Sequence, residues 1–431
     1  MIDKNANAAA QGKTDLPLQI GIVVNAFPVL SETFIFNKVR GLVERGHRVV
    51  VFTNADAGHQ PYYQARGEWL ISLERLRTVD KRAPIRSILA TLGRLLGSPS
   101  ASLRLLGVAL RRFPVRRALV AWVKALPFAV RKLDVLHFEF SGIAATNLDV
   151  LPLLSCPVVV SCRGSAEQVT PLVHPSRKEA LGRVFAAASR VHCVSDDMVA
   201  TAQRWGLDSR KAFVNRPAVD LRDFTRSSPP AASPVFRVVS VGRLHWDKGF
   251  AYALLGVAKA RAAGVPLRYT IVGDGPDRTH LVYTADSLGI SEFVDFKGPL
   301  GAGGVRETLE TADVFLLPTV REGISNACLE AMALGVAVIS TTTGGMKEVI
   351  EEGVSGRLVA PRDALAIASE LERLYRGSEE RVRLGKGARS RVEAEFAIPR
   401  QIAVFEREYG SLRSGGRETV EDFGFNGRRR R

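Results

Sequence analysis

Along most of the chain, short apolar runs alternate with longer stretches whose apolar residues recur at helical spacing. The clearest unit spans residues 314–339. Residues 314–317 are Val-Phe-Leu-Leu and stop at Pro318, and a second apolar run begins directly after Gly335. Uninterrupted runs this short suit parallel strands buried on both faces. The Ala-, Leu- and Met-rich segment between them predicts a helix that starts at Asn326 and stops at Gly335. The same alternation predicts a strand at 19–25, a helix at 34–45 closed by Gly46, and a strand at 47–53. Further strands are expected at 133–140, 157–161, 191–195, 236–241, 267–272 and 294–298, with helix from Asp363 onward. Strands alternating with helices predict an α/β fold with parallel sheets. The opening β-α-β lacks Gly-x-Gly-x-x-Gly, so it is not a dinucleotide fingerprint.

Length and composition divide this pattern. A chain of 431 residues suggests two domains, and its 46% hydrophobic content allows two cores. Residues 226–235 hold a Ser-Ser-Pro-Pro-Ala-Ala-Ser-Pro run, which reads as a linker. The expected layout is a disordered lead at 1–16, a first domain at 17–225 and a second domain at 236–395. A terminal helix at 396–412 and a disordered basic tail at 413–431 follow.

Charge narrows the partners. A formal net charge of +16 predicts an anionic partner: nucleic acid, anionic lipid or a phosphorylated substrate. Residues 81–133 contain no Asp or Glu, while Lys and Arg recur among Leu, Val and Phe. Leu103, Leu106, Leu110 and Phe113 fall at helical spacing, so a basic amphipathic helix on an anionic membrane surface is the expectation. A core-packed helix pair with a solvated basic face is the alternative. No nucleic-acid module accompanies the charge, so nucleic acid is not expected. The four cysteines lack C-x-x-C spacing, which argues against a structural zinc site and for reduced thiols in a cytosolic protein. Without a signal-like N-terminus or a long apolar run, the chain is expected in the cytoplasm, peripheral at most on the inner face of the membrane.

The candidate chemistry gathers at predicted strand ends. Glu322 lies in the loop before the 326–334 helix and Glu330 about one turn inside it. A helix N-terminus beside a strand end suits an anion, and a nearby carboxylate suits hydroxyls. Such a site fits a sugar nucleotide. At the end of the 236–241 strand stands Gly242-Arg243-Leu244-His245-Trp246-Asp247-Lys248-Gly249. There Arg243 and Lys248 could converge on a diphosphate.

These motifs carry a resemblance. The Glu-x7-Glu pair in Arg-Glu-Gly-x-Ser-Asn-x-x-Leu-Glu-Ala-Met-Ala-x-Gly, with the Gly-Arg-Leu-x-x-x-Lys-Gly run, resembles the retaining GT-B glycosyltransferases of family 4. The loop Phe-Pro-x-x-Ser-Glu-Thr-Phe-Ile at 27–35 is similar to a colanic acid and exopolysaccharide subgroup. The resemblance runs from about residue 18 to 410 and is weakest over 55–135. It implies two Rossmann-like domains facing a cleft, with the terminal helix crossing back to the first. The donor, a nucleotide-diphosphate sugar, would meet Gly242, Arg243, Lys248, Glu322, Gly323, Ile324, Ser325, Asn326 and Glu330. Catalytic candidates are Glu322, Arg243, Lys248 and Arg163. Ser31, Glu32, Thr33, His137 and Gly164 are acceptor-side candidates, although Ser31 and Thr33 also suit plain helix capping and His137 a structural strand end. The acceptor would be a saccharide, lipid-linked in polysaccharide assembly. No cofactor and no metal is expected, because no Asp-x-Asp is present.

Two motifs depart from the family pattern. Arg163 stands where the family has the His of His-Gly-x-Asp, with Ala166 at the Asp. Glu139 replaces the second His of Asp-x-x-His-x-His, while His137 keeps the first. An arginine cannot serve as a base at neutral pH. The departures leave open a catalytically silent protein of this fold that binds a sugar nucleotide or a partner enzyme. An epimerase of the same fold lacks motif support.

Overall fold

The computed structural model describes residues 17–29, 32–56, 72–75, 98–129, 131–226 and 233–415. The lead, most of the 226–235 linker, the tail beyond 415, Ser31, and Lys81, Arg82, Arg86 and Arg94 of the basic segment lie outside them.

Two parallel sheets carry the chain. The first has seven strands: β1 (Gln19–Phe27), β2 (Arg48–Asp56), β3 (Ser72–Arg75), β4 (Val135–Phe138), β5 (Val158–Cys162), β6 (Arg190–Cys193) and β7 (Ala212–Val214). Their order is β3-β2-β1-β4-β5-β6-β7. The second contains β8 (Phe236–Val241), β9 (Leu267–Val272), β10 (Val294–Gly298), β11 (Val314–Leu317), β12 (Ala337–Thr341) and β13 (Arg357–Val359). Its order is β10-β9-β8-β11-β12-β13. The order reverses between β1 and β4 and again between β8 and β11. Crevices open at such switch points, beyond the strands' carboxyl ends. All four residues of β4 and of β11 are buried, as both-face burial requires.

Helices cover the sheets. The helix after β1, α1 (Thr33–Glu44), begins with Glu32 at its N-cap and no side-chain cap, so Thr33 does not cap it. Next come α2 (Pro99–Arg112) and α3 (Val115–Ala129), which pack on each other as a hairpin. The expected apolar stripe is not the packed face here. Ser102, Leu105 and Ala109 turn inward toward Ala118, Ala121 and Ala125, while Leu103 and Leu110 are exposed. Small residues let the backbones approach, so the larger ones stay outside. In the second half, α4 (Phe250–Ala262) follows β8 and α5 (Asn326–Ala333) follows β11. Helix α5 starts at Asn326, as expected; Ser325 is its N-cap and accepts from the Cys328 N–H at 3.3 Å.

The last helix, α6 (Ile398–Gly415), leaves the second half and packs on the first sheet. Its Ile402, Phe405 and Tyr409 are buried with Ile20, Phe36 and Val39. Ile402 fills the space at Gly41, where a Cβ would lie 2.7 Å from it. Replacing Phe405 by Ala removes a fully buried ring; we expect a loss of about 3–5 kcal/mol in a denaturant melt. Exposed Leu365→Ala is the control and should change stability by less than about 0.5 kcal/mol.

Candidate active site

Three loops of the second sheet build one side of the cleft. The β8 loop carries Gly242, Arg243 and a short turn, Trp246–Lys248, that ends in Gly249 with φ +67°. A Cβ on Gly249 would sit 2.1 Å from the Pro318 carbonyl oxygen, so only glycine fits there. The β11 loop locks onto the same turn: Val320 and Arg321 donate their N–H groups to the Asp247 carbonyl at 2.8 and 3.1 Å. This brings Lys248 Nζ within 2.6 Å of Glu322 Oε2. Arg243 is exposed, and no partner holds its guanidinium among the described residues. The β12 loop crosses behind: Gly344 has φ +56°, and a Cβ on it would lie 1.9 Å from the Glu322 carbonyl.

Helix α5 opens below this ion pair. Asn326 Oδ1 is buried in its first turn without a hydrogen-bond partner. Glu330, on the next turn, has no hydrogen-bond partner among the described residues, and burial pushes its carboxyl up to about 8. Two acceptors therefore stand unpaired beside a helix N-terminus, as a hydroxyl-bearing anion would need. Ile324 is buried, so only its backbone faces the loop. Gly323 meets the first half of the molecule: a Cβ there would lie 2.4 Å from the Arg163 carbonyl oxygen. Gln168 Nε2 donates to the Glu322 carbonyl at 3.2 Å, and Arg321 donates back to the Gln168 carbonyl at 3.0 Å.

The facing side is built at the β1–β4 switch point. Arg163, after β5, donates Nε to the Glu139 carbonyl at 3.0 Å, and its Nη2 pairs with the Glu139 carboxylate. Its guanidinium lies 4.4 Å over the Phe34 ring. The two departures from the family pattern are thus one ion pair. Glu139 is fully buried and takes a second cation, Lys38 of α1, at 2.5 Å. Burial raises the Glu139 carboxyl, but Lys38, His137 and Arg163 together hold it well below the usual range. Burial also lowers Lys38 to about 8, against the pull of Glu139. Glu32 is half-buried beside this cluster. Burial raises its carboxyl, against the pull of Arg163. A Cβ on Gly164 would meet no protein atom within 4 Å, so that position opens into the cleft.

His137 does not reach the cleft. It is fully buried and both ring nitrogens are engaged within the protein. The hydrogen-bond directions follow from one end. The Asn215 carbonyl can only accept, so His192 donates through Nε2 at 2.7 Å. His192 Nδ1 then accepts from Ser161 Oγ at 2.7 Å, and Ser161 accepts from His137 Nε2 at 2.8 Å. His137 Nδ1 is left to accept from Lys38 at 2.9 Å and from the Tyr409 hydroxyl at 2.6 Å. Both imidazoles are neutral in this chain; burial holds His137 well below its usual value and His192 down to about 3. Lys38 is the residue that sequence reasoning missed. Its signal was position: it falls between Ile35 and Leu42 on the buried face of α1.

Comparison with known proteins follows these residues. The model described as Glycosyltransferase Family 4 matches residues 31–223, and the one described as Glycosyl transferases group 1 matches residues 222–391. The chain is 28% identical over 407 residues to WcaL of Salmonella typhimurium, a protein named for colanic acid biosynthesis, covering 90% of this chain and 98% of that one. It is also 28% identical to the amylovoran biosynthesis glycosyltransferase AmsK of Erwinia amylovora, covering 86% and 94%. Among solved structures, Anabaena HepE in complex with UDP and glucose superimposes with a TM-score of 0.69 at 15% identity, over 91% of this chain and 100% of that one. WaaG, from lipopolysaccharide biosynthesis, gives 0.62 at 16% identity, over 90% and 99%. The likeness to these structures shows the shared GT-B fold.

The raised Glu330 carboxyl has a measurable consequence. Its folded value lies above the unfolded one, so its contribution to stability is full below about 4.5 and is lost as pH rises through about 8. Glu330→Gln cannot ionise. Its melting temperature should exceed that of wild type at pH 9, with the gain shrinking to nothing near pH 4.5. A pH-independent difference would contradict this reading.

Proposed function

The chain belongs to the glycosyltransferases of family 4, and we propose that it transfers a sugar, with retention of anomeric configuration, from a nucleotide-diphosphate sugar to a lipid-linked saccharide in exopolysaccharide assembly. The observation that carries the reading is the set of unspent groups around one ion pair: free Arg243, partnerless Glu330 and the unpaired Asn326 oxygen beside Lys248–Glu322. HepE was solved in complex with UDP and glucose, and WcaL and AmsK are named for polysaccharide synthesis. Both facts support this donor class and this setting.

Each residue then has a task. Arg243 and Lys248 take the charge that develops on the departing diphosphate, Arg through its planar fork and Lys as a point charge. Preformed cations of this kind suit a departure without a metal ion. Among the described residues, no three His, Cys, Asp or Glu side chains converge as metal ligands. Glu330 accepts the ribose hydroxyls, and Glu322 orients the sugar while it shares Lys248 with the diphosphate. Across the cleft, Arg163 cannot take a proton. It offers N–H groups to the acceptor or the sugar, held in place by Glu139. Glu32 lies beside it as a partner for an acceptor hydroxyl.

The α2–α3 hairpin supports a membrane-bound acceptor. Leu103 is 68% exposed and Val115 63%, with Leu110, Leu119 and Val120 also outside. Exposed Arg104, Arg111, Arg112 and Arg116 stand among them. Apolar residues interleaved with arginines on one hairpin match an anionic bilayer surface. No described helix is long and apolar enough to cross a membrane.

Two measurements check these readings. Calorimetry with UDP, GDP and ADP sugars, without metal, should find binding to one base series. Arg243→Ala and Glu330→Ala should each weaken it tenfold or more, about 1.4 kcal/mol or more. No binding to any series would contradict the donor assignment. On phosphatidylglycerol vesicles the protein should float at low salt. It should be released at 1 M salt, where the Debye length falls to about 3 Å, and by the Leu103→Glu/Val115→Glu pair. Absence of flotation at low salt would overturn the membrane reading.

A further inference from the structure

A cavity lies beside the Trp246–Lys248 turn, lined by His245, Trp246, Gly249 and Val320 but not by Lys248 or Glu322. Its volume is about 210 Å³. Trp246 and Tyr252 give it aromatic walls, and His280, Asp277 and Arg362 stand at its rim. None of these residues has a task in the donor site described above.

Three features mark it as built for a ligand. First, Trp246 is 48% exposed, yet its position is fixed. The indole packs on His245 with ring centroids 5.7 Å apart. His245 Nδ1 is 2.7 Å from Asp247 Oδ1, and the Asp247 carbonyl holds the β11 loop. The aromatic wall is therefore tied to the strand end that carries Glu322. Second, Arg362 has φ +68°, the left-handed region that a non-glycine residue rarely adopts. Backbone strain of this kind clusters at ligand contacts. Its side chain is exposed and has no partner among the described residues. Third, Val320 and Arg362 also line a larger cleft of about 700 Å³ between the two halves, which reaches Gln168, Arg321 and Gly344. The small cavity thus shares two of its walls with the larger cleft.

The chemistry selects the occupant. Apolar aromatic faces with a hydroxyl-bonding rim suit a pyranose, which has an apolar C–H face and a polar edge. The volume falls below the roughly 300–1,000 Å³ of drug-sized sites, so it holds one sugar ring. We propose that Trp246, Tyr252 and Arg362 form a saccharide subsite that grips a neutral hexose unit of the acceptor, remote from the unit being extended. The ligand class rests on the transferase reading; the site itself rests on the cavity. One such contact away from the reacting hydroxyl favours an oligosaccharide over a monosaccharide acceptor.

The test is tryptophan fluorescence of the full chain, titrated with maltotetraose, cellotetraose and tetrasaccharides of galactose and of mannose. UDP binding is followed in parallel by calorimetry. At least one tetrasaccharide should quench the wild type, and its monosaccharide should bind at least tenfold more weakly. Trp246→Leu and Arg362→Ala should each lower tetrasaccharide affinity, read by calorimetry, tenfold or more while UDP affinity stays within twofold. Binding that survives both substitutions overturns the subsite, as does failure of every tetrasaccharide. Quenching of Trp246 by UDP alone, abolished in Trp246→Leu, would make the cavity part of the nucleotide site and also overturns it. If tetrasaccharides bind through Trp246 but no nucleotide or sugar nucleotide binds at all, the subsite stands and the donor reading fails.

Discussion

Glu139 has no access to solvent, and its carboxylate lies between two cations from different elements, Lys38 of α1 and Arg163 after β5. Burying three charges is expensive, and removing one partner from such a group costs about 3–5 kcal/mol because the others are left uncompensated. The cluster therefore fixes the relative positions of α1, β4 and β5 at the mouth of the first sheet. It reaches further through Lys38. That ammonium lies 4.0 Å over the Phe405 ring and contacts His137, which contacts Tyr409. Helix α6 comes from the second half of the chain, so the same network ties that half's last element to the carboxyl ends of β4 and β5.

A second constraint acts across the cleft. Gly323, Gly344 and Gly345 let the β11 and β12 loops pass close to each other and to the Arg163 carbonyl. Side chains at these points would push Glu322 away from Lys248 or the two halves apart. Backbone contact through glycine and the charge cluster behind Arg163 thus meet at one place. Lys248, on the β8 loop of the second sheet, reaches the same place through Glu322, and Arg243 belongs to the same loop. A diphosphate brought there would be met by preset positive charge and would need little reorganisation of the protein, which is the main electrostatic advantage an enzyme can offer. The family's histidine is absent, but its position is filled by a cation of fixed orientation.

Much of the fold was legible because its signals were local. The strand at 314–317 lies where the apolar run ends at Pro318, and the reversal at Gly335 has the φ of +68° that glycine permits. The start of α5 at Asn326 was legible, but the identity of its cap was not. Ser and Asn are both good caps, and only geometry shows that the Ser325 oxygen reaches the Cys328 N–H. The stripe at Leu103, Leu106, Leu110 and Phe113 did not show which face of the hairpin packs: Leu103 and Leu110 are exposed, and the two helices meet through Ala and Ser. At the site, Arg243 with Lys248 and Glu322 with Glu330 carried their own spacing. The Glu139–Arg163 pair did not. Its members are 24 residues apart, and each departure from the family pattern looked separate until β4 and β5 placed them side by side.

The central claim is that Arg163 and Glu139 act in turnover as one unit. A double-mutant cycle on nucleoside diphosphate release tests it, using the sugar nucleotide that binds the protein and the variants Arg163→Met, Glu139→Gln and both together. The account predicts strong non-additivity: the double variant should be no slower than the slower single variant, within about threefold. Independent losses that multiply in the double variant would contradict it and would return Arg163 to a separate role.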